Sequence, residues 1–150
     1  MKLLLTKELG RLAKWLRIIG FDTVYSKQEN LSSLIIQALK ENRTIITRNQ
    51  HLSKTAGAKV IRIKAEKLKE QFPQILKALK VSIDRELMFT RCIICNEELK
   101  VIDKKKVEDK VPEYVFKTQE SFITCPKCGR IYWQGTHWGN VEATLKEIIK

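Results

Sequence analysis

The chain of 150 residues contains four cysteines, which form two matching Cys-x-x-Cys pairs: Cys92 with Cys95, and Cys125 with Cys128. Two such pairs have the spacing that places four thiolates around one tetrahedral zinc ion, each about 2.3 Å from the metal. Gly129 follows the second pair and allows the tight turn that directs backbone amides toward the sulfurs. Because four thiolates leave no open coordination position, this zinc is expected to stabilise structure rather than to catalyse a reaction.

Disulfide bonds and a redox-active pair are the alternatives to zinc. Structural disulfides need an oxidising compartment, yet the chain begins MKLLLTK, with three consecutive leucines and no signal-peptide core. No long apolar run predicts a membrane span, so we expect a cytoplasmic protein that does not contact membranes. A thioredoxin-like site needs one Cys-x-x-Cys pair rather than two matched pairs. Structural zinc is therefore the favoured interpretation, and catalysis must be sought elsewhere.

The positive charge of the chain is concentrated in its N-terminal part. The formal net charge is +12. Residues 1–64 contain 13 Lys and Arg against four Asp and Glu, whereas residues 91–150 contain 11 against nine. This imbalance favours a polyanionic partner that binds the N-terminal part. A soluble surface rich in lysine is the alternative interpretation.

Apolar runs alternate with amphipathic segments over the first 80 residues, and this pattern predicts β-α units around a parallel sheet. The predicted strands are residues 2–5, 23–25, 44–47 and 59–63, and the predicted helices are residues 7–19, 31–41 and 65–79, with a helical turn at 51–56. Gly20 is expected to end the first helix, and Pro73 to kink or restart the third. The carboxyl ends of the strands should share one edge, where ligands bind in open α/β sheets.

The C-terminal part follows a connection at residues 81–90. Its predicted elements are ribbon strands at residues 92–100, 114–116 and 130–134, a charged loop at 104–112 and an amphipathic helix at 141–150. We therefore expect two domains, one of residues 1–85 and a zinc-binding module of residues 86–150.

Three segments resemble a known family. They are residues 9–23 (LGRLAKWLRIIGFDT), 43–48 (RTIITR) and 91–96 (RCIICN), the last followed by 132–137 (YWQGTH). The segments occur in the same order as in the Mut-seven C-terminal RNase-domain family, and the resemblance to this family extends from Lys2 to about Trp138. The resemblance implies an α/β fold in which a PIN-like parallel sheet with flanking helices is fused to a small C-terminal four-cysteine zinc ribbon. It also implies an RNA-related role.

The resemblance further implies a hydrolytic site of carboxylates that hold Mg²⁺ or Mn²⁺ and so activate water. Where the family has acids after the first and third strands, this chain has Thr6 and Asn49. Asp22 matches the family's G-(F/Y)-D-T element and Glu29 precedes the second helix, so these two acids are the candidate catalytic residues. Because carboxylates hold hard divalent ions best, we expect weak Mg²⁺ or Mn²⁺ binding and weakened or lost catalysis.

Basic residues near the predicted edge are candidates for binding RNA phosphates: Lys7, Arg11, Lys14, Arg17 and Arg48. Guanidinium groups grip phosphates bidentately, and several on one helix face would follow an RNA backbone. An ordinary solvated helix face is the alternative. Glu8, on the same helix, is expected to pair with a neighbouring base.

Three functions are compatible with these residues. The first is an RNA-binding relative of the ribonucleases in which catalysis is weakened or lost. The second is an active Mg²⁺- or Mn²⁺-dependent endoribonuclease that uses Asp22 and Glu29. The third is a non-catalytic module whose zinc ribbon docks onto a ribonucleoprotein partner. Thr6 and Asn49 favour the first, because neither side chain offsets the charge of a divalent cation.

Overall fold

The computed structural model describes residues 1–52 and 57–149, apart from the side chains of residues 136–139 and 149. Its larger sheet contains four parallel strands in the order β2-β1-β3-β4: β1 (Lys2–Leu5), β2 (Asp22–Tyr25), β3 (Thr44–Thr47) and β4 (Val60–Arg62). Since Leu5 pairs with both Tyr25 and Ile46, the strands end together. We call this end the carboxyl edge of the sheet. The predicted parallel sheet is confirmed.

Helices cover both faces of this sheet: α1 (Gly10–Ile18), α2 (Leu31–Glu41) and α3 (Leu68–Leu79). Successive strand residues point to opposite faces. Leu3 and Leu5 therefore pack with α1 and α3, whereas Leu4 packs with α2. The leucines of β1 are fully buried because helices lie on either side of the strand.

The three helices predicted around the sheet exist: α2 has the predicted bounds, and α1 and α3 start later than predicted. A 3-10 turn (Lys7–Leu9) precedes α1, and α3 begins three residues later than expected. Pro73 lies inside α3, and the helix nevertheless continues to Leu79. The helical turn after β3 covers Gln50–Leu52, and residues 53–56 of that prediction lie outside the described residues.

The C-terminal part contains a second, antiparallel sheet in the order β5-β6-β7: β5 (Lys100–Ile102), β6 (Phe122–Thr124) and β7 (Ile131–Trp133). Two of the strand predictions are wrong here. Residues 92–99 form turns with one isolated bridge, and residues 114–116 lie in α4 (Glu113–Thr118). Pro112 precedes α4, a Lys117–Glu113 ion pair spans one of its turns, and Val115 alone among its residues is buried. These features stabilise a helix rather than a strand.

The last helix, α5 (Thr136–Ile149), returns to the first sheet. Val141, Leu145 and Ile148 are buried in the same hydrophobic cluster as α1 and α3. The described part of the chain has no helix with both the length and the apolar character needed to cross a membrane. The division of the chain after residue 85 stays a prediction.

Gly20→Ala is expected to lower the free energy of unfolding by about 3 kcal/mol. Gly20 has a φ of +98°, and a Cβ atom there would lie 2.3 Å from the carbonyl oxygen of Leu87, on the segment that leads into the ribbon. Urea denaturation measures the loss. Gly57→Ala is the matched control, because Gly57 has a φ of +85° and open space around its Cβ position. Equal losses in the two variants would contradict the importance of the close approach to Leu87.

Candidate functional site

The two cysteine pairs come together in the ribbon, the first before β5 and the second between β6 and β7. Their four sulfur atoms all lie within 4.8 Å of one another. The sulfurs of Cys92 and Cys128 are 3.8 Å apart, and sulfurs that surround zinc tetrahedrally at about 2.3 Å are themselves separated by about 3.8 Å. Four thiol groups are soft donors that suit zinc. The residues present therefore fit one structural zinc ion.

Both Cys-x-x-Cys turns have the same backbone geometry. In the first, the amide of Cys95 donates a hydrogen bond to the Cys92 sulfur at 3.4 Å, and the second repeats this contact at 3.5 Å. The next residue has a positive φ in each case, +67° at Asn96 and +77° at Gly129. Sequence reasoning identified Gly129 but not Asn96, although asparagine tolerates this conformation better than most side chains.

The surroundings of the sulfurs act on the cysteines in different directions. Burial raises the pKa of Cys95 and of Cys125. Hydrogen bonds from the backbone and the side chain of Arg130 lower the pKa of Cys128 to about 6. The hydroxyl of Tyr132 lies 3.1 Å from the Cys92 sulfur, within hydrogen-bonding distance. Zinc binds thiolates rather than thiols, so the contacts of Cys128 support the metal-binding state.

Arg17 connects α1 to the first cysteine turn. Its guanidinium donates to the carbonyl oxygens of Thr23 at 2.9 Å, Ile93 at 2.9 Å and Ile94 at 3.1 Å. The residue is 9% exposed. These partners and its burial occupy the guanidinium, which does not favour a phosphate contact, and RNA binding by Arg17 stays a prediction. The ribbon covers the part of the helix where this residue lies.

Asp22 is part of the same connection. It begins β2, so it lies at the end of the sheet opposite to the carboxyl edge. Its carboxylate accepts hydrogen bonds from Arg43 at 2.8 Å and from the side chain of Asn96 at 2.6 Å. Burial raises the pKa of Asp22, but these contacts outweigh it and hold the pKa below its ordinary value of 3.8. Asp22 therefore lies away from Glu29, which pairs with Lys7 beyond the end of β1, and a catalytic role for either acid stays a prediction.

Three carboxylates follow strands at the carboxyl edge, those of Glu29, Glu66 and Glu8, and only the Glu8 carboxylate accepts hydrogen bonds from the described strand ends. Its Oε1 atom accepts hydrogen bonds from the Thr6 hydroxyl at 2.6 Å, the Arg48 amide at 2.9 Å and the Thr47 hydroxyl at 3.2 Å. Burial raises the pKa of Glu8, but the hydrogen bonds prevail and place the pKa below its ordinary value of 4.5. Hydroxyl and amide donors thus hold an ionised Glu8, instead of the neighbouring base expected from the sequence.

The other candidates near this edge have partners of their own. Glu29 is exposed and forms an ion pair with Lys7, which lowers the pKa of the carboxyl group. The side-chain oxygen of Asn49 accepts a hydrogen bond from the amide of His51 at 2.8 Å. Neither side chain adds a ligand beside Glu8.

The carboxyl edge lacks a cluster of acids. Among the residues that the structure describes, the four cysteines form the only group of three or more Cys, His, Asp or Glu side chains that could hold a metal. Every Asp and Glu of the chain is included, since the undescribed side chains contain none. A lone carboxylate holds Mg²⁺ or Mn²⁺ weakly, because these ions take most of their ligands from oxygen atoms of several groups.

Three exposed basic residues, together with the buried Arg17, line a depression of about 410 Å³ between α1 and the first cysteine turn. We call Arg11, Lys14 and Lys27 the α1 basic surface. All three are exposed, and none of them forms an ion pair with a described residue. The described residues that line the depression include no acid. Unpaired cations in an open depression can bind phosphate groups.

The remaining candidates for phosphate binding are partly neutralised. Lys7 pairs with Glu29, and a guanidinium nitrogen of Arg48 lies 3.7 Å from the carboxylate of Glu66. Sequence reasoning missed Lys27. It lies two residues beyond β2, so its place near the carboxyl edge, beside the helix that follows β1, is a signal that could have found it.

The fold and the site together define a class of protein: an α/β domain built on a four-stranded parallel sheet, with a ribbon whose four cysteines suit a zinc ion. The chain belongs to the Mut7-C RNAse domain family, whose profile matches residues 1–145. Membership confirms the resemblance and places the chain among PIN-like ribonuclease-type proteins, for which RNA is a substrate or partner. Comparisons with curated proteins and with solved structures gave no significant match.

Proposed function

We propose that the protein binds single-stranded RNA on the α1 basic surface and that its carboxyl edge no longer supports metal-dependent cleavage. The observation that carries this proposal is the combination of three exposed, unpaired cations with a ribonuclease-type fold in which the described acids at the strand ends form no group that could hold a metal. Binding and cleavage are thereby separated, because they depend on different residues of the same domain.

The binding part of the proposal is supported by charge. Residues 1–64 carry 13 basic against four acidic residues, and the α1 basic surface adds a place where the positive charge is not neutralised. Contacts between cations and phosphates supply most of the sequence-independent affinity of nucleic-acid-binding proteins. Ile94, at 45% exposure, lies at the margin of the depression and offers apolar area to an unstacked base.

The loss of cleavage is supported by the chemistry of the carboxyl edge. Thr6 and Asn49 supply neutral oxygen atoms where the resemblance implies carboxylates, and the Thr6 hydroxyl already donates to Glu8. Hydrolysis of a phosphodiester at a metal site depends on cations that lower the pKa of the attacking water and stabilise the developing charge. Without a cluster of carboxylates to hold them, these cations are bound too weakly to act.

Reversing two charges of the α1 basic surface tests the proposal. Arg11→Glu combined with Lys14→Glu should weaken the binding of a fluorescent oligoribonucleotide about 100-fold at low salt, because each change removes a phosphate contact and adds a repulsion. The slope of log Kd against log salt concentration should fall by about two. Fluorescence anisotropy over a series of salt concentrations measures both quantities.

The matched control reverses two exposed lysines elsewhere. Lys40→Glu with Lys77→Glu, on α2 and α3, changes the net charge by the same amount. If both double variants weaken binding equally, the α1 basic surface is not the site. Affinity that does not depend on salt would favour the interaction module instead. Manganese-dependent cleavage of the oligonucleotide by the wild type would contradict the second half of the proposal.

A further inference from the structure

Glu8 faces a second depression, which adjoins the α1 basic surface. This depression has a volume of about 660 Å³ and lies between the first residues of α1, the start of α3 and the end of α5. Gly10, Arg11 and Tyr25 line both depressions. An RNA strand with a phosphate on Arg11 would therefore have its adjoining sugar and base on the side of Glu8.

The carboxylate of Glu8 is held in place through one of its two oxygen atoms. The three hydrogen bonds that it accepts from Thr6, Thr47 and Arg48 all end on Oε1. Thr6 and Thr47, which donate two of these bonds, are buried at the ends of β1 and β3. A group held in place before binding loses little freedom when a ligand arrives.

The charge of Glu8 decides what can face it. An ionised carboxylate accepts hydrogen bonds and donates none, and it repels a phosphodiester. The group opposite Oε2 must therefore be a hydrogen-bond donor without negative charge. Nucleic acids offer two sources of this chemistry, the ribose 2′-hydroxyl and the exocyclic amines of adenine, cytosine and guanine.

Tyr25 marks where the nucleoside would lie. Its hydroxyl donates a hydrogen bond to the carbonyl oxygen of Lys7 at 2.6 Å, which fixes the ring at the junction of the two depressions. Aromatic rings in such positions stack with unpaired bases. The carboxylate, the ring and Arg11 thus surround a space suited to one nucleotide.

We propose that Glu8 is a specificity-determining residue of the RNA-binding site, whose Oε2 atom accepts a hydrogen bond from the nucleoside next to the phosphate on Arg11. This inference rests on the proposed RNA-binding function and adds selection among nucleic acids to it. A divalent cation is the competing partner of a carboxylate. Glu66 and Glu147 line the same depression, but among the described residues these acids do not form with Glu8 a group that could hold a metal ion, which argues against the cation.

The variant Glu8→Gln separates a contact from simple electrostatics. If Glu8 touches nothing in the complex, removal of its negative charge tightens the binding of every oligonucleotide. If Glu8 accepts a hydrogen bond, the variant places an amide donor or an uncharged acceptor there, and binding of the preferred oligonucleotide weakens about tenfold. The two explanations predict changes of opposite sign.

The probes are oligouridylate, its 2′-deoxy form and oligocytidylate of equal length, measured by fluorescence anisotropy in EDTA at one salt concentration. A preference for oligouridylate over its deoxy form that disappears in Glu8→Gln identifies the 2′-hydroxyl. A preference for oligocytidylate over oligouridylate that disappears identifies an exocyclic amine. Either result supports the proposal. Glu8→Asp keeps the charge but shortens the side chain. This variant should lose the same preference without binding the other probes more tightly.

Three outcomes overturn the inference about Glu8 alone. These are equal binding of all three probes by the wild type, equal tightening of all three in Glu8→Gln, and a preference that arises only after Mg²⁺ is added. Thermal unfolding of both variants shows whether they are folded. A wild type that binds none of the probes would instead refute the proposed RNA-binding function.

Discussion

Cys125→Ser is expected to abolish stoichiometric zinc binding and to unfold the ribbon. Binding of structural zinc provides roughly 10 kcal/mol or more to the folding of small zinc modules. The ribbon has little else to stabilise it, because its own buried cluster consists of Val107, Val115 and Phe122. Metal analysis and hydrogen exchange over residues 92–134 measure the two effects.

The same substitution should also loosen the start of β2. When the first cysteine turn unfolds, Arg17 loses the carbonyl oxygens of Ile93 and Ile94, and the Thr23 amide loses the side-chain oxygen of Asn96, now 2.8 Å away. A buried polar group left without its partner costs about 1–3 kcal/mol. Exchange of the Thr23 amide should therefore become faster in Cys125→Ser.

Arg17→Met is the matched control for this coupling. It removes the hydrogen bonds between α1 and the first cysteine turn, keeps an apolar stem of similar length, and leaves all four zinc ligands in place. We expect bound zinc and a smaller loss of protection at Thr23, since Asn96 remains. Unchanged exchange of residues 16–25 in Cys125→Ser would show that the sheet and the ribbon are energetically independent.

The sequence predicts the parallel sheet well because its signals are local. Leu3, Leu4 and Leu5 form a continuous apolar run, as expected for a strand covered on both faces. The elements of the ribbon are harder to predict from the sequence, because such short elements depend on a few contacts. The residues at 114–116 have side chains that favour strands, yet Pro112 before them and the Lys117–Glu113 ion pair favour the helix α4.

The site shows the same division between local and distant information. The spacing within each cysteine pair is a local pattern, so the ligands could be identified from the sequence. The roles of Glu8 and Arg17 depend on partners far along the chain: Arg48 is 40 residues from Glu8, and Ile93 is 76 residues from Arg17. Helical periodicity assigns such residues to a face but does not show what packs on that face.

Thr6→Asp is expected to lower the free energy of unfolding by about 2–4 kcal/mol in EDTA. Thr6 is 7% exposed, and its hydroxyl donates a hydrogen bond to Oε1 of Glu8 at 2.6 Å. An aspartate at this position would place a second carboxylate next to that of Glu8. Thr6→Asn is the control, because its amide is neutral and can still donate. Urea denaturation compares the three proteins.

Divalent cations should reverse this loss, because a pair of carboxylates is a ligand set that the wild type does not have. Mn²⁺ at 100 times its Kd would restore about 2.7 kcal/mol. Asn49→Asp added to Thr6→Asp should bind Mn²⁺ more tightly in calorimetry. If the wild type, Thr6→Asn and Thr6→Asp are stabilised equally by Mn²⁺, the carboxyl edge is not where the cation binds.

The pH dependence of stability should change sign between the wild type and Thr6→Asp. In the wild type the pKa of Glu8 in the folded state is lowered. Its contribution to the free energy of unfolding is therefore present above pH 4.5 and is lost as the pH falls through the folded-state pKa. In Thr6→Asp the two carboxylates share one site, which raises one folded pKa of the pair above the unfolded value. That contribution is present at low pH and is lost as the pH rises. Denaturation in EDTA between about pH 4 and pH 7 should therefore give curves that converge on acidification, and parallel curves would mean that the two carboxylates do not meet.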